Sequence, residues 1–219
     1  MPSWVPPVAL YMLKGLAVTC ELALISGVAA LTLGVVLGLL LATDNKLLKR
    51  AITLYVELWR GLPLLVILFF AFFALPAAGI RLTGFQAAAV GLTLWASAVT
   101  AENVRGAIQA IPAGQMEVAR ALGFGWIGAM GLIVLPQALR RLLPPTLNLL
   151  TSLIHGTSLA AQLGVLELLE ASRRSSQRLV LDAGDSHGLA IFAAVLAAFY
   201  LVCAPLTALS RRLERRLQS

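Results

Sequence analysis

Charge is what this chain has least of. Asp, Glu, Lys and Arg together make up 12% of its 219 residues, about half the share of a typical soluble domain. Apolar residues make up 59%, and the mean hydropathy is +0.89. A core of this size cannot hide so much apolar surface from water, so much of it faces lipid and a water-soluble domain is excluded. Histidine and cysteine are scarce as well, with two of each. His155 and His187 have no neighbours at ligand spacing, so no metal site is expected. Cys20 and Cys203 both sit inside apolar stretches and read as packing residues. No G-x-x-x-x-G-K-[ST] phosphate loop is present, so the chain is not itself an ATPase. No serine stands in a G-x-S-x-G context, and no catalytic residue is assigned.

What is there is a series of long apolar segments. A lipid-crossing helix needs about 20 mostly apolar residues. Segments at about 16–42, 52–75, 84–107, 135–156 and 188–209 meet that need, giving five spans in one membrane domain over residues 1–219. The first has no basic residue before Lys14 and is too long for the core of a cleavable signal, so it is expected to remain as a span. Asp44 to Arg50 reads as a short charged loop. The fourth span contains Pro136 and Pro144-Pro145 and reads as a broken element enclosed by protein. Residues 166–187 are too polar for lipid, and Glu167, Glu170, Arg173 and Arg174 suit a helix on the membrane surface. The expected fold is therefore an all-α integral membrane protein with a five-span helical bundle.

An odd number of spans puts the termini on opposite faces. The basic excess, 17 residues against 10 acidic ones, then has a plain cause. One face collects 12 of these cations, among them Lys46, Lys49, Arg50, Arg120, Arg140, Arg141 and Arg211-Arg212; the other keeps Lys14, Arg81, Arg173, Arg174 and Arg178. The positive-inside bias places the N-terminus outside and the C-terminus in the cytoplasm, with anionic membrane lipid rather than nucleic acid as the partner of the terminal arginines.

The segment at about 112–134, between the third and fourth spans, is the most informative. Gln115 to Leu122 is a short helix candidate with Met116, Ala119 and Leu122 on one side and Gly123 able to end it in a left-handed conformation. Alone in water such a helix is unstable, so it needs a partner surface. Glu117-Val118-Ala119, then Gly123, then Ile133-x-Leu135-Pro136 resembles the EAA loop of bacterial ABC-transporter permeases; Val118 stands where a second alanine is usual. The likeness extends over roughly residues 15–217. Tyr55-Val56-Glu57-Leu58-Trp59-Arg60-Gly61-Leu62-Pro63-Leu64-Leu65 is similar to the YVELFRGTPLL segment of polar amino-acid permeases. Thr100 to Pro112 is similar to their AEIVRGGIQSIP, residues 135–140 to LPQALR, and residues 157–168 to TSLxxxIGVPEL.

The resemblance implies a permease subunit of a bacterial polar amino-acid importer of the histidine/glutamine/glutamate/arginine/opine type, with a MetI-like fold in the inner membrane. It implies no cofactor in this chain, with ATP and Mg held by a cytoplasmic ABC ATPase dimer. It further implies a second permease subunit, identical or homologous, an extracytoplasmic amino-acid-binding protein and an amino-acid substrate. The 112–134 loop would be the coupling helix, with Glu117 facing the ATPase, Ala119 allowing close approach, Arg120 beside it and Gly123 making the turn.

The residues carry further expectations of their own. Glu57–Arg60 and Glu102–Arg105 stand at i,i+3 spacing near span ends, where each pair can neutralise itself. Gly61-Leu62-Pro63 is expected to interrupt the second span. Gly34-x-x-x-Gly38 permits close helix packing, within the bundle or against a second subunit. A substrate site belongs where backbone is broken near mid-membrane. His155-Gly156-Thr157-Ser158 fits that, as do Ser97 and Thr100, whose hydroxyls suit the carboxylate and ammonium of an amino acid. Many relatives have Lys-Asp where this chain has His155-Gly156. The missing carboxylate argues against a strictly cationic substrate, or leaves the substrate to a partner subunit.

Other classes fit less well. An intramembrane hydrolase with Ser97 or Ser158 as nucleophile and His155 as base lacks a third orienting group. A passive channel lacks rings of like-charged pore residues. An importer of an opine remains the near alternative, whereas the Tyr55–Leu65 and Thr157–Leu168 segments argue against methionine and quaternary amines.

Overall fold

The computed structural model describes every residue except 1, 3, 44 and 219, and among those described every regular element is helical. Four helices are long and apolar enough to cross a membrane: Val5–Leu41, Gly84–Gln109, Trp126–Leu163 and Gly188–Leu217. A bent pair, Lys46–Gly61 with Leu64–Ala78, makes a fifth when counted as one.

Helix α1 (Val5–Leu41) starts about three turns earlier than its apolar run suggests. Pro6 and Pro7 fall in the first turn, where backbone N–H groups have no intrahelical partner, so they start the helix rather than block it. Its 37 residues span about 55 Å at 1.5 Å per residue, well beyond a hydrocarbon core of about 30 Å.

Asp44, where the charged loop was expected to begin, lies outside the described residues. Lys46 to Arg50 are not loop but the start of α2 (Lys46–Gly61), capped by Asn45, whose Oδ1 accepts from Leu47 and Leu48 N–H at 3.1 Å. At Leu62-Pro63 the chain is extended, and the axis turns by 105° into α3 (Leu64–Phe69). From there α3 runs on through a π-turn (Phe70–Ala74) and a 3₁₀ turn (Leu75–Ala78) to left-handed Gly79. Proline cannot donate the hydrogen bond that would carry α2 onward, which accounts for the break. The segment 52–75 is thus two helices with different directions.

Helix α4 (Gly84–Gln109) opens on a capping box: Gln86 N–H donates to Thr83 Oγ1 at 3.3 Å, and Thr83 N–H to Gln86 Oε1 at 3.0 Å. It packs along α1 through glycine. A Cβ on Gly34 would lie 2.6 Å from the Ser97 carbonyl oxygen and 2.7 Å from Thr100 Cγ2; one on Gly38 would lie 2.7 Å from Val104 Cγ1 and 2.8 Å from the Ala101 oxygen. The G-x-x-x-G pair therefore meets a helix of the same chain. The register advances in the same sense on both helices, so α1 and α4 run parallel.

After α5 (Ala113–Ala121), the short α6 (Trp126–Ala129) passes through a π-turn (Met130–Val134) into α7 (Leu135–Gly156), which tightens to a 3₁₀ turn over Thr157–Leu163. Here the expectation of a proline-broken element fails: α7 is continuous through Pro144-Pro145. The prolines withdraw the N–H donors of the Arg140 and Arg141 carbonyls, and hydroxyls bond to carbonyls beside them. Thr146 Oγ1 donates to the Leu142 oxygen at 2.9 Å, and Ser210 Oγ of the C-terminal helix donates to the Pro144 oxygen at 3.2 Å.

The polar stretch 166–187 contains α8 (Leu168–Ala183), and α9 (Gly188–Gln218) closes the chain. Glu167 is fully buried at the start of α8, its two carboxylate oxygens accepting from Leu169 and Glu170 N–H at 2.9 and 2.8 Å. Leu168 N–H donates to Thr19 Oγ1 of α1 at 3.1 Å, which fixes α8 to α1. Burial pushes the Glu167 carboxyl above its usual range, more strongly than the two N–H groups pull it down. A carboxyl raised in the folded state stabilises that state fully below its unfolded value, and the contribution is lost as pH rises through the folded value. Wild type should therefore lose thermal stability relative to Glu167→Gln as pH rises from the ordinary carboxylate range into the raised one. Parallel melts of the two proteins in detergent, which give equal slopes if burial does not govern this group, check that. Glu167→Ala should cost about 1 kcal/mol for the lost cap.

These registers give the bundle two distinct ends. One carries Trp4, the Gly79 turn and α8, with Trp4 and His187 rings stacked at 4.5 Å. The other carries Asn45, α2, α5 and the arginines of α9.

Candidate translocation surface and coupling segment

Helix α7 has two opposed stripes. Leu142, Leu149, Leu153 and Gly156 are buried, the leucines and glycine facing α1, α3 and α4. On the other side Arg141, Asn148, Ser152 and His155 are exposed, and Gln162 is exposed in the 3₁₀ turn beyond. Residues 141, 148 and 155 recur every seven positions, so they fall on one face of α7. Ser152 Oγ donates to the Asn148 oxygen at 3.1 Å and Ser158 Oγ to the His155 oxygen at 2.7 Å. The His155 ring lies 6.1 Å from that of Phe199 in α9. Polar side chains exposed at membrane depth line a water-filled cavity or a partner surface, since lipid cannot solvate them.

The expected pathway residues divide. His155 lies on the exposed stripe, Ser158 is half-buried at its edge, and Thr157 is fully buried, its hydroxyl donating to the Ile154 oxygen at 2.7 Å. Ser97 and Thr100 are not on this stripe. Both are buried where α1 and α4 touch at Gly34. Thr100 Oγ1 donates to the Ala96 oxygen at 2.8 Å, and Ser97 Oγ is hydrogen-bonded to Tyr55 OH at 2.7 Å. Asn148 and Ser152 were not singled out from sequence, although the seven-residue spacing of 141, 148 and 155 was there to be found.

The charge pairs also rearrange. Arg105 is paired with Glu102, its Nε donating at 3.0 Å, and its Nη1 donates to Gln109 Oε1 at 3.0 Å. Glu57 and Arg60 do not pair. Arg60 reaches across to Glu102 at 3.9 Å, leaving Glu57 exposed.

At the α2 end of the bundle, α5 runs from Ala113 to Ala121. It ends as a Schellman turn: Gly123 is left-handed at φ +84°, its N–H donating to the Arg120 oxygen and that of Phe124 to the Ala119 oxygen, both at 3.0 Å. Ala119 is fully buried, and Met116 packs on Ile111, Met130, Val134 and Ala138. Leu122 was expected on that inner side but is 71% exposed, because it is the cap residue where the helix has already begun to unwind. Glu117, Val118, Arg120, Leu122 and Ile127 together offer an uncovered surface of mixed character. Arg141, at the head of the polar stripe, donates from Nη1 to the Ala110 oxygen at 2.8 Å, capping the end of α4 just before α5 begins.

A multi-pass helical bundle with a polar stripe along one inner helix and a short docked helix at one end is the build of a solute-transport subunit. Residues 34–219 match the family model described as binding-protein-dependent transport system inner membrane component. The chain is 35% identical over 206 residues to the probable glutamine ABC transporter permease protein GlnP of Bacillus subtilis, covering 94% of this chain and 93% of that one. It is 32% identical over 209 residues to the glutamine transport system permease protein GlnP of Escherichia coli K12, again covering 94% and 93%. Among solved structures, that of an amino acid ABC transporter with histidines superposes with a TM-score of 0.83 at 25% identity, over 95% of this chain and 94% of that one. The MetNI methionine ABC transporter shares the fold, with a TM-score of 0.75 at 22% identity, over 95% and 98%. The chain belongs to the binding-protein-dependent transport system inner membrane component family, as a polar amino-acid ABC permease. It is a multi-pass inner-membrane protein with the MetI-like fold, the membrane subunit of an amino-acid importer and not an enzyme.

Proposed function

We propose that this chain forms half of a translocation pathway for polar amino acids and couples it to cytoplasmic ATPases through α5. The polar stripe of α7 carries the first part of this reading. Arg141 lies at one end, while Asn148, Ser152 and His155 offer hydrogen-bond donors and acceptors and no carboxylate stands among them. Such a surface suits a zwitterion with an uncharged polar side chain, in keeping with relatives named as glutamine permeases. The second part rests on the uncovered surface of α5 and on Arg141, which ties α7 to the α4–α5 junction. Movement of α5 would reach the stripe through that link.

The end bearing α5 and most of the cations is the cytoplasmic one in this reading, with α8 and the N-terminus outside. An ABC ATPase dimer holding ATP and Mg would seat α5, with Glu117 and Arg120 facing it, Ala119 letting α5 lie close on the bundle and Gly123 making the turn. A second permease subunit, the same or homologous, would close the pathway, and an extracytoplasmic binding protein would deliver the amino acid. Two ATPases closing on ATP would then rock the bundles between inward-facing and outward-facing states.

The test is ATP hydrolysis in proteoliposomes holding this chain, its ATPase and its binding protein, with a panel of amino acids. Neutral polar amino acids should stimulate hydrolysis, and Glu117→Lys should abolish the stimulation while leaving the permease monodisperse, because Glu117 is exposed. Stimulation that survives Glu117→Lys would remove α5 from the coupling role; stimulation by cationic amino acids alone would overturn the substrate class.

A further inference from the structure

We propose that α2 is an interfacial helix that beds a leucine stripe in the acyl chains and presents Lys46, Lys49 and Arg50 to anionic phospholipid headgroups. The inference rests on the membrane-spanning fold and not on the importer reading. At 100° per residue, α2 divides into three sectors. Leu48, Ile52, Tyr55 and Val56 form the inner one, packed on Leu37, Leu40, Leu41 and Ala101. Lys46, Lys49, Arg50, Thr53, Glu57 and Arg60 form the polar one.

The third sector is apolar and uncovered. Leu47, Ala51, Leu54 and Leu58, at spacings of four, three and four, make a straight stripe, and its leucines are 80%, 68% and 49% exposed. The stripe lies between the bundle on one side and the charged sector on the other. That is the profile of a helix at a membrane surface, with its apolar face down, its long basic chains reaching up and the bundle beside it. The 105° turn at Leu62-Pro63 carries α2 away from the direction of α3, as a surface helix requires. Its first two turns hold three cations and no anion among the described residues, so the headgroups that complement it are anionic. The arginines of α9 reach the same end of the bundle.

Full-length chain with Cys20→Ala and Cys203→Ala, spin-labelled singly at positions 47, 54, 58, 53 and 57, would be reconstituted in phosphatidylcholine vesicles with and without phosphatidylglycerol. Labels at 47, 54 and 58 should collide with oxygen and sit about 5–10 Å below the headgroups, while those at 53 and 57 should collide with a water-soluble nickel chelate. Association of spin-labelled phosphatidylglycerol should fall about fivefold for each cation removed by Lys46→Gln, Lys49→Gln and Arg50→Gln, and wild type should show the same loss at high salt. Arg50→Gln alone, at an exposed site, guards against misfolding of the triple variant. Stripe labels shielded from both reagents and broadened by a neighbouring label would make the stripe a contact between copies. Stripe labels open to the nickel chelate, or lipid association unmoved by the substitutions, would also overturn the proposal.

Discussion

Gly34→Ala should destabilise the bundle by about 3 kcal/mol, and Gly106→Ala should stabilise it by up to about 1 kcal/mol. The two changes add the same methyl group to helices that touch each other. In an isolated helix, both would gain from the better propensity of alanine. At Gly106 nothing lies within 4 Å of the new Cβ, so that gain survives. At Gly34 the Cβ would stand 2.6 Å from the Ser97 carbonyl oxygen and 2.7 Å from Thr100 Cγ2. Ser97 O is backbone and cannot swing aside, so α1 must move away from α4 along the longest helix contact in the chain. Gly38→Ala meets Val104 and the Ala101 oxygen in the same way, and should add to the loss less than fully because the two sites share one displacement. Chemical denaturation in detergent, read by tryptophan fluorescence, gives all three values. Equal effects at Gly34 and Gly106 would mean that α1 and α4 do not approach as closely as described.

That contact also explains where sequence reasoning succeeded and where it failed. The apolar runs announced the membrane fold because about 20 consecutive apolar residues have few other uses. The resemblance around Glu117 and Gly123 announced the α5 segment, whose turn needs the positive φ that Gly123 supplies. Ser97 and Thr100 are buried for a physical reason. A hydroxyl that bonds its own helix, as Thr100 does to Ala96, is compatible with a tight helix seam as well as with a pathway, and one chain's pattern does not separate the two. The clue was Gly34, whose missing side chain had to face something. Pro144-Pro145 misled. Two prolines leave the Arg140 and Arg141 carbonyls without their helical N–H donors, which alone would favour a break, yet α7 stays continuous where it packs in the bundle, with Ser210 Oγ of α9 bonded to the Pro144 oxygen beside them. The bend between α2 and α3 was signalled by Gly61-Leu62-Pro63, yet its size depends on Ile52 and Val56 finding Leu41 and Ala101, which local sequence does not encode.

Ser152 and Ser97 should therefore behave as opposites in transport. Ser152→Trp should abolish amino-acid uptake while leaving the protein folded, since the side chain is exposed on the polar stripe and the larger ring would fill the space beside it without entering the core. Asn148→Ala, which removes one or two hydrogen bonds to a bound zwitterion, should raise the half-saturating substrate concentration about three- to tenfold. Ser97→Ala breaks the bond to Tyr55 in the buried α1–α4 seam, so it should lower thermal stability by about 1 kcal/mol and leave the substrate dependence unchanged. The comparison is uptake of radiolabelled glutamine into proteoliposomes across a concentration series, with melting of each variant measured alongside. If Ser97→Ala shifts the half-saturating concentration and Asn148→Ala does not, the pathway runs along α4 instead of α7. The hydroxyl of Ser97 would then have to leave Tyr55 and turn out of the seam during the transport cycle.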